Sequence, residues 1–325
     1  MKTQTYEFVE GDEKIVAPGI VARRIRALVA IPALLWAPAV QPGELGGYIA
    51  VSKNLMSGNA WVYGDALVYG DAQVSGNARV YGNAQVYGNA LVYGDALVYG
   101  DARVYGNAWV YGNAWVYGNA LVYGDALVYG DALVYGDARV YGNALVYGDA
   151  LVSGNARVSG NALVSGNAQV YGDALVYGNA WVYGDAQVYG DAQVSGNARV
   201  SGNARVSGDA QVYGNAQVYG DAQVYGDAQV YSDAQVYGDA QVYGDAWVTE
   251  KCSRTPVLIS GLRYTITITD DHLRAGCQCH LIDKWPTFTT ADIAEMDGKS
   301  ALRFYPQLLA LLAAARSSAS DEVSE

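Results

Sequence analysis

The chain contains two histidines and three cysteines, and four of these five residues stand together near the C terminus. They are His272, Cys277, Cys279 and His280, in the run His272-Leu273-Arg274-Ala275-Gly276-Cys277-Gln278-Cys279-His280. Imidazole and thiolate groups at such spacings, with Cys252 upstream, make a candidate zinc set. Cys-Gln-Cys-His is not the spaced C-x2-C pair of common zinc motifs, and a free cysteine is more often a small buried apolar residue. Packing is therefore the expected role of this cluster, with no catalytic residue and no metal or cofactor assigned. Residues 56–251 hold no His, no Cys, and no Lys before Lys251. That stretch has no ready general base for neutral pH, and a His-ligated metal site there fails for the same reason. Two chemistries remain open to it: oxygen ligation of a cation by recurring Asp and Asn side chains, and contacts made by recurring Tyr and Trp rings.

These residues recur because the chain is a tandem repeat, and repetition has to be recognised before any other feature. From Val62 to Val248 a valine stands at every sixth position, 32 in all, and Met56 extends the frame one step earlier. The unit is V-[YS]-G-[DN]-A-x, as in Val68-Tyr69-Gly70-Asp71-Ala72-Gln73. Position three is Gly in 30 of the 32 hexads, the exceptions being Ser232 and Glu250. In A-x-V the small and branched residues lie two apart, so on a strand they share one side and x points to the other. Valine favours the strand, and Gly followed by Asp or Asn supplies a turn. A strand and a turn in six residues, with no 3.6-residue rhythm, leave a solenoid of stacked coils as the expected architecture.

At this point the chain resembles the hexapeptide-repeat family, and Val62-Tyr63-Gly64-Asp65-Ala66-Leu67 fits its pattern except that Tyr occupies a small-or-acidic slot. The resemblance implies an all-β fold, a single-stranded left-handed parallel β-helix of triangular section with three hexads per coil. Residues 56–253 then make about 11 coils of 18 residues, on an axis of roughly 50 Å. The flanks narrow the match to prophage-type, YdcK-like β-solenoid proteins, of bacterial or phage origin. They do so through Arg24-Ile25-Arg26-Ala27-Leu28, Gly43-Glu44-Leu45-Gly46-Gly47-Tyr48-Ile49 and Asn54-Leu55, and through Ile266-Thr267-Ile268-Thr269-Asp270, Gly276-Cys277, His280 and Trp285. Members of such families are often labelled acyltransferases, an activity that usually works with a histidine set between coils. That residue is missing from this repeat, and a fold does not carry a function with it.

The expected organisation is an N-terminal cap over 1–55, the β-helix over 56–253, a small α+β cap over 254–316 and a frayed tail over 317–325. The cap at the far end reads as strands around Val257 to Ile268, then helices near Thr290 to Met296 and from Ala301 to Ala315. Such caps keep the open edges of a solenoid from polymerising. Ala30 to Val40 is apolar and Pro-rich where a polar loop is expected.

Eighteen-residue stacking sorts the x positions into three faces. The first reads Gln73, Leu91, Trp109, Leu127, Leu145, Leu163, Trp181, Arg199, Gln217, Gln235, and so carries six consecutive outward apolar residues. The second begins Trp61, Arg79, Leu97, Trp115, Leu133, Leu151, and the third begins Leu67, Gln85, Arg103, Leu121, Arg139, Arg157. An outward stripe from Leu91 to Trp181 is the expected site of self-association, with a homodimer as the assembly; ladder stacking of Leu on Leu is the structural alternative. Tyr follows Val in 24 of the 32 hexads, which predicts aromatic columns stacked along the corners. Ser interrupts them at 153, 159 and 165 and again at 195, 201 and 207. Asp and Asn alternate on one corner from Asp65 to Asn155, after which Asp173, Asp191, Asp209, Asp227 and Asp245 follow one another; solvated turns are the expected state, with calcium as the alternative.

Composition bounds the partners. Net charge is −12 and only 16% of residues are charged, so nucleic acid is not an expected partner. The charged start MKTQTYEFVEGDEK is unlike a signal peptide, the longest apolar run is broken by Pro32 and Pro38, and three Cys make no disulfide framework. A cytoplasmic protein that touches no membrane is expected. Its expected role is a non-catalytic scaffold or spacer, the alternatives being a module that binds a protein or glycan through its Tyr and Trp ladders, or an acyltransferase.

Overall fold

The computed structural model of the protein describes residues 4–34 and 37–321. From the first hexads onward each unit places a two-residue x-Val strand on one of three parallel sheets, and the three sheets take successive hexads in turn. A coil is therefore 18 residues, as Leu127 pairing with Leu145 and Val128 with Val146 illustrate. The result is a parallel β-solenoid of about 11 turns.

Up to three backbone hydrogen bonds per hexad tie each coil to the next. In one repeat Leu127 N–H donates to Ala144 O at 3.0 Å, Tyr129 N–H to Val146 O at 3.0 Å and Asp131 N–H to Gly148 O at 2.9 Å. The inward Ala and Val side chains, Ala66 to Ala246, are fully buried, and they fill the prism so that no ligand space remains along its axis. The repeat glycines sit at φ near +70°, and a Cβ on most of them would meet the backbone N and O of the next coil's glycine at about 3.0 to 3.2 Å. Glycine is needed there twice over, for its conformation and for its lack of bulk.

The N-terminal cap is an antiparallel hairpin, Tyr6–Ala17 with Ile20–Ala27, whose second strand pairs antiparallel with Leu45–Ile49. Tyr48 and Ile49 then pair parallel with Leu67 and Val68, so the first rung of the solenoid is laid by the segment expected to cap it. A Cβ on Gly46 or Gly47 would lie 2.6–2.8 Å from Ile25, Trp61, Val62 or Ala66, which is why this strand crosses the prism end on two glycines.

Met56 does not occupy the valine frame. Leu55 is the residue that pairs with Val74, and one extra residue is absorbed before Gly58 meets Gly76. Buried Asn54 sets this offset: its amide donates to Gly70 O and Ala72 O, while its oxygen accepts from Val51 N–H. The last coil also departs from the 18-residue count. Lys251–Cys252 pairs with Gln235–Val236, sixteen residues away, so the coil closes two residues early.

At the far end a four-stranded antiparallel sheet, Val257–Ile259, Ile266–Ile268, His272–Ala275 and Gln278–Leu281, carries a second hydrophobic core with Trp285, Phe304, Leu308 and Leu312. The helix Thr290–Asp321 is broken at Asp297 and Gly298, giving the two helical pieces expected. Its second piece runs on through 317–321, where a frayed tail was expected, and 322–325 lie outside the described residues. Among the described residues no helix is long and apolar enough to cross a membrane.

Candidate functional site

The six predicted face residues are brought onto one sheet in unbroken register: Leu91 with Trp109, Trp109 with Leu127, Leu127 with Leu145, Leu145 with Leu163, and Leu163 with Trp181. The leucines are half-buried by one another, and the two indoles stand clear at 41% and 42% exposure. Arg199 closes the ladder, its guanidinium 4.8 Å from the Trp181 ring centroid.

A second column lies beside this ladder, and sequence reasoning assigned it to the corners. The residue two after x is also outward on an extended strand. Tyr213 hydroxyl donating to Gln229 and Tyr225 hydroxyl donating to Gln241, each at 3.4 Å, show the ring column running against the x ladder of the same face. Face one is therefore two columns wide. Tyr93, Tyr111, Tyr129 and Tyr147 stack in it at 4.8–4.9 Å with nearly parallel planes, Ser165 leaves one ring out, and Tyr183 stands alone beyond the gap. The i, i+2 spacing of Trp109 and Tyr111 was the signal that could have found it. Burial and the neighbouring rings in the stack hold the hydroxyls of Tyr111 and Tyr129 above the ordinary tyrosine value.

The other faces differ. On the second, residues 30–34 and 37–40 fold back through the Ile31–Val40 and Leu34–Ala37 bridges and cover the first rungs. Arg79 donates to Pro32 O at 3.2 Å and Tyr63 to Pro38 O at 3.1 Å, and Trp61, Arg79 and Leu97 are buried. The unexpected apolarity of that segment thus has a reason: it covers an outward ladder. The third face interleaves its leucines with exposed Arg103, Arg139 and Arg157.

The corner columns are amide ladders. Each of the 15 asparagines from Asn59 to Asn215 donates its amide to the Asn or Asp one coil onward, at 2.8–3.0 Å. Asp65 and Asp71, first in their columns, receive Lys14 and Lys53 instead. No group of three or more His, Cys, Asp or Glu among the described residues is placed to hold a metal ion.

The C-terminal His and Cys residues are dispersed rather than gathered. In the hairpin His272 pairs with Leu281 and His280 with Leu273, which puts the two imidazoles on opposite sides of the sheet. His272 meets Asp271 at 2.7 Å. His280 packs edge-on against Trp285 and Phe288, and burial followed by nearby Lys284 and His272 pulls its pKa down. Cys279 lies 3.7 Å from Thr249 Oγ1, and Cys277 is exposed at the rim of a small open apolar cleft beneath the broken helix. Cys252 plugs the shaft core, where burial and then Asp270 push its thiol up to about 12.

The family model described as the YdcK beta-solenoid repeat matches the chain in thirteen segments, from residues 72–85 to residues 234–250, which together span half of its length. No curated protein matches it.

Proposed function

Since the chain belongs to the YdcK β-solenoid repeat family, and its repeat is a solid rod, we propose that it acts as a non-catalytic scaffold or spacer that associates with a second copy through the Leu91–Trp181 face. The observation that carries this is the width and continuity of that face. Six rungs of Leu and Trp run beside a tyrosine column without one charged interruption, whereas face two has four such rungs, Leu97 to Leu151, the first of them buried. Apolar surface of that extent on a soluble protein marks an interaction site.

Two further facts favour a protein surface over a sugar. Stacked tyrosines offer their edges, because both ring faces inside a column are covered by neighbours at about 4.8 Å. Only Trp109 and Trp181 present broad free indole surface on this face. Catalysis finds no support in the groups present: the prism is filled, the shaft has no histidine, and the two histidines of the cap face away from each other.

The test is absolute mass by light scattering behind a sizing column, for the wild type and for Leu127→Lys/Leu145→Lys. A concentration-dependent dimer that the double variant reduces to monomer is expected. A wild-type monomer throughout, or a dimer indifferent to the substitutions, would overturn the assignment of this face.

A further inference from the structure

We propose that the two copies meet antiparallel about a two-fold axis lying midway between the Leu127 and Leu145 rungs, with Tyr111 of one copy set opposite the gap at Ser165 of the other; this rests on the self-association just described. The inference comes from the sizes of the side chains along the two columns. A face-to-face pair related by a two-fold axis has two simple arrangements. With the axis across the shafts, each column faces its own kind and the order of rungs reverses. Leu127 then opposes the partner's Leu145, Trp109 the partner's Leu163, and Leu91 the partner's Trp181. In the second column Tyr129 opposes the partner's Tyr147, Tyr93 the partner's Tyr183, and Tyr111 the partner's Ser165.

The bulk is more evenly spread in this arrangement than in the other. Of the two largest rungs, Trp109 with Tyr111 falls on the smallest, Leu163 with Ser165, and Trp181 with Tyr183 falls on Leu91 with Tyr93, so neither meets its own kind. With the axis along the shafts the rungs keep their order. Trp109 then meets the partner's Tyr111 from both sides, Trp181 meets the partner's Tyr183 likewise, and Leu163 meets the partner's Ser165, so two rungs are overfilled and another left void. Packing without voids or overlap favours the antiparallel pair. Ser165 is itself buried at 7% exposure, walled by the rings on either side, so the gap is a recess in the column rather than a flat step.

Size sets the strength. Eight rungs from Gln73 to Arg199 span about 38 Å at the strand spacing, and two outward columns are about 14 Å wide. The contact is then about 500 Å² per copy, against about 800 Å² in a standard stable interface. On one edge Asp95 comes to face the partner's Asp185, and Asp131 the partner's Asp149. A dissociation constant in the micromolar range that tightens with salt is expected.

Sedimentation equilibrium on wild type, Ser165→Tyr, Tyr111→Ser and the double variant tests it. Ser165→Tyr completes the column within the fold but collides with the partner's Tyr111, and should weaken dimerisation about tenfold or more. Adding Tyr111→Ser should restore it. A spin label at Gln229 in each copy supplies an independent reading: beyond about 50 Å for the antiparallel pair, about 30 Å for the parallel one, from coil counting. A wild-type dimer that ignores Ser165→Tyr, is not rescued by the second change, or gives the short distance overturns the orientation and leaves self-association standing. A wild type that stays monomeric removes self-association itself.

Discussion

Replacing Gly142 by Ala in the middle of the shaft probes what makes the rod stiff. Gly142 has φ +70° and its added Cβ would lie 3.1 Å from Gly160 N and 3.2 Å from Gly160 O, the latter held by the hydrogen bond that it accepts from Asn143 N–H. The left-handed conformation alone costs an L-residue about 1–2 kcal/mol. Crowding against an immobile neighbour adds about 1–3 kcal/mol. Gly64 isolates the first contribution: it has φ +56° and the nearest atom to its added Cβ is Gly82 O at 3.7 Å. Urea unfolding followed by far-UV circular dichroism should therefore place Gly142→Ala about 1–3 kcal/mol below Gly64→Ala. The reciprocal change is Ser232→Gly. Ser232 is the one non-glycine with positive φ among the described residues, at 59°, and its replacement should stabilise by about 0.5–1 kcal/mol. Equal losses for Gly142→Ala and Gly64→Ala would refute the idea that close backbone stacking, rather than conformation alone, demands glycine.

Two other outcomes follow from the caps. The Tyr48 hydroxyl and Arg24 hold Asp12, and Lys14 holds Asp65, below the ordinary carboxylate value of 3.8. Their contribution to docking the N-terminal hairpin is full above that value and is lost as pH falls from it through the lowered pKa values. Hydrogen exchange, corrected for its intrinsic pH dependence, should show Tyr6–Ala27 opening in acid before the shaft does, with a flatter pH response in Lys14→Met. Thiol labelling should find Cys277 in the native protein and Cys252 only after unfolding, because Cys252 is buried and its pKa is pushed up to about 12. Rapid native labelling of Cys252 would contradict the closed end of the shaft.

The shaft was legible because one rule repeats. An unbroken valine every six residues lets the 18-residue register be counted, and the ladder from Leu91 to Trp181 falls where the count places it. Gly298 likewise separates the two expected helical pieces. What escaped the count depends on single contacts between distant residues. The substitution of Leu55 for Met56 in the core follows from Asn54 bonding to Gly70 and Ala72. The apolar segment after Ala30 finds its purpose only in Trp61 and Arg79, which local pattern does not bring near it. The tyrosine column was visible as a column, but its place on the face beside the leucines required following the strand two residues past x.

Self-association along one side of a stiff rod is tested most directly by small-angle X-ray scattering over a concentration series. The expected result is a particle whose cross-section grows with concentration while its long dimension stays near that of one chain. Growth in length at constant cross-section, or a single rod at every concentration, would contradict it.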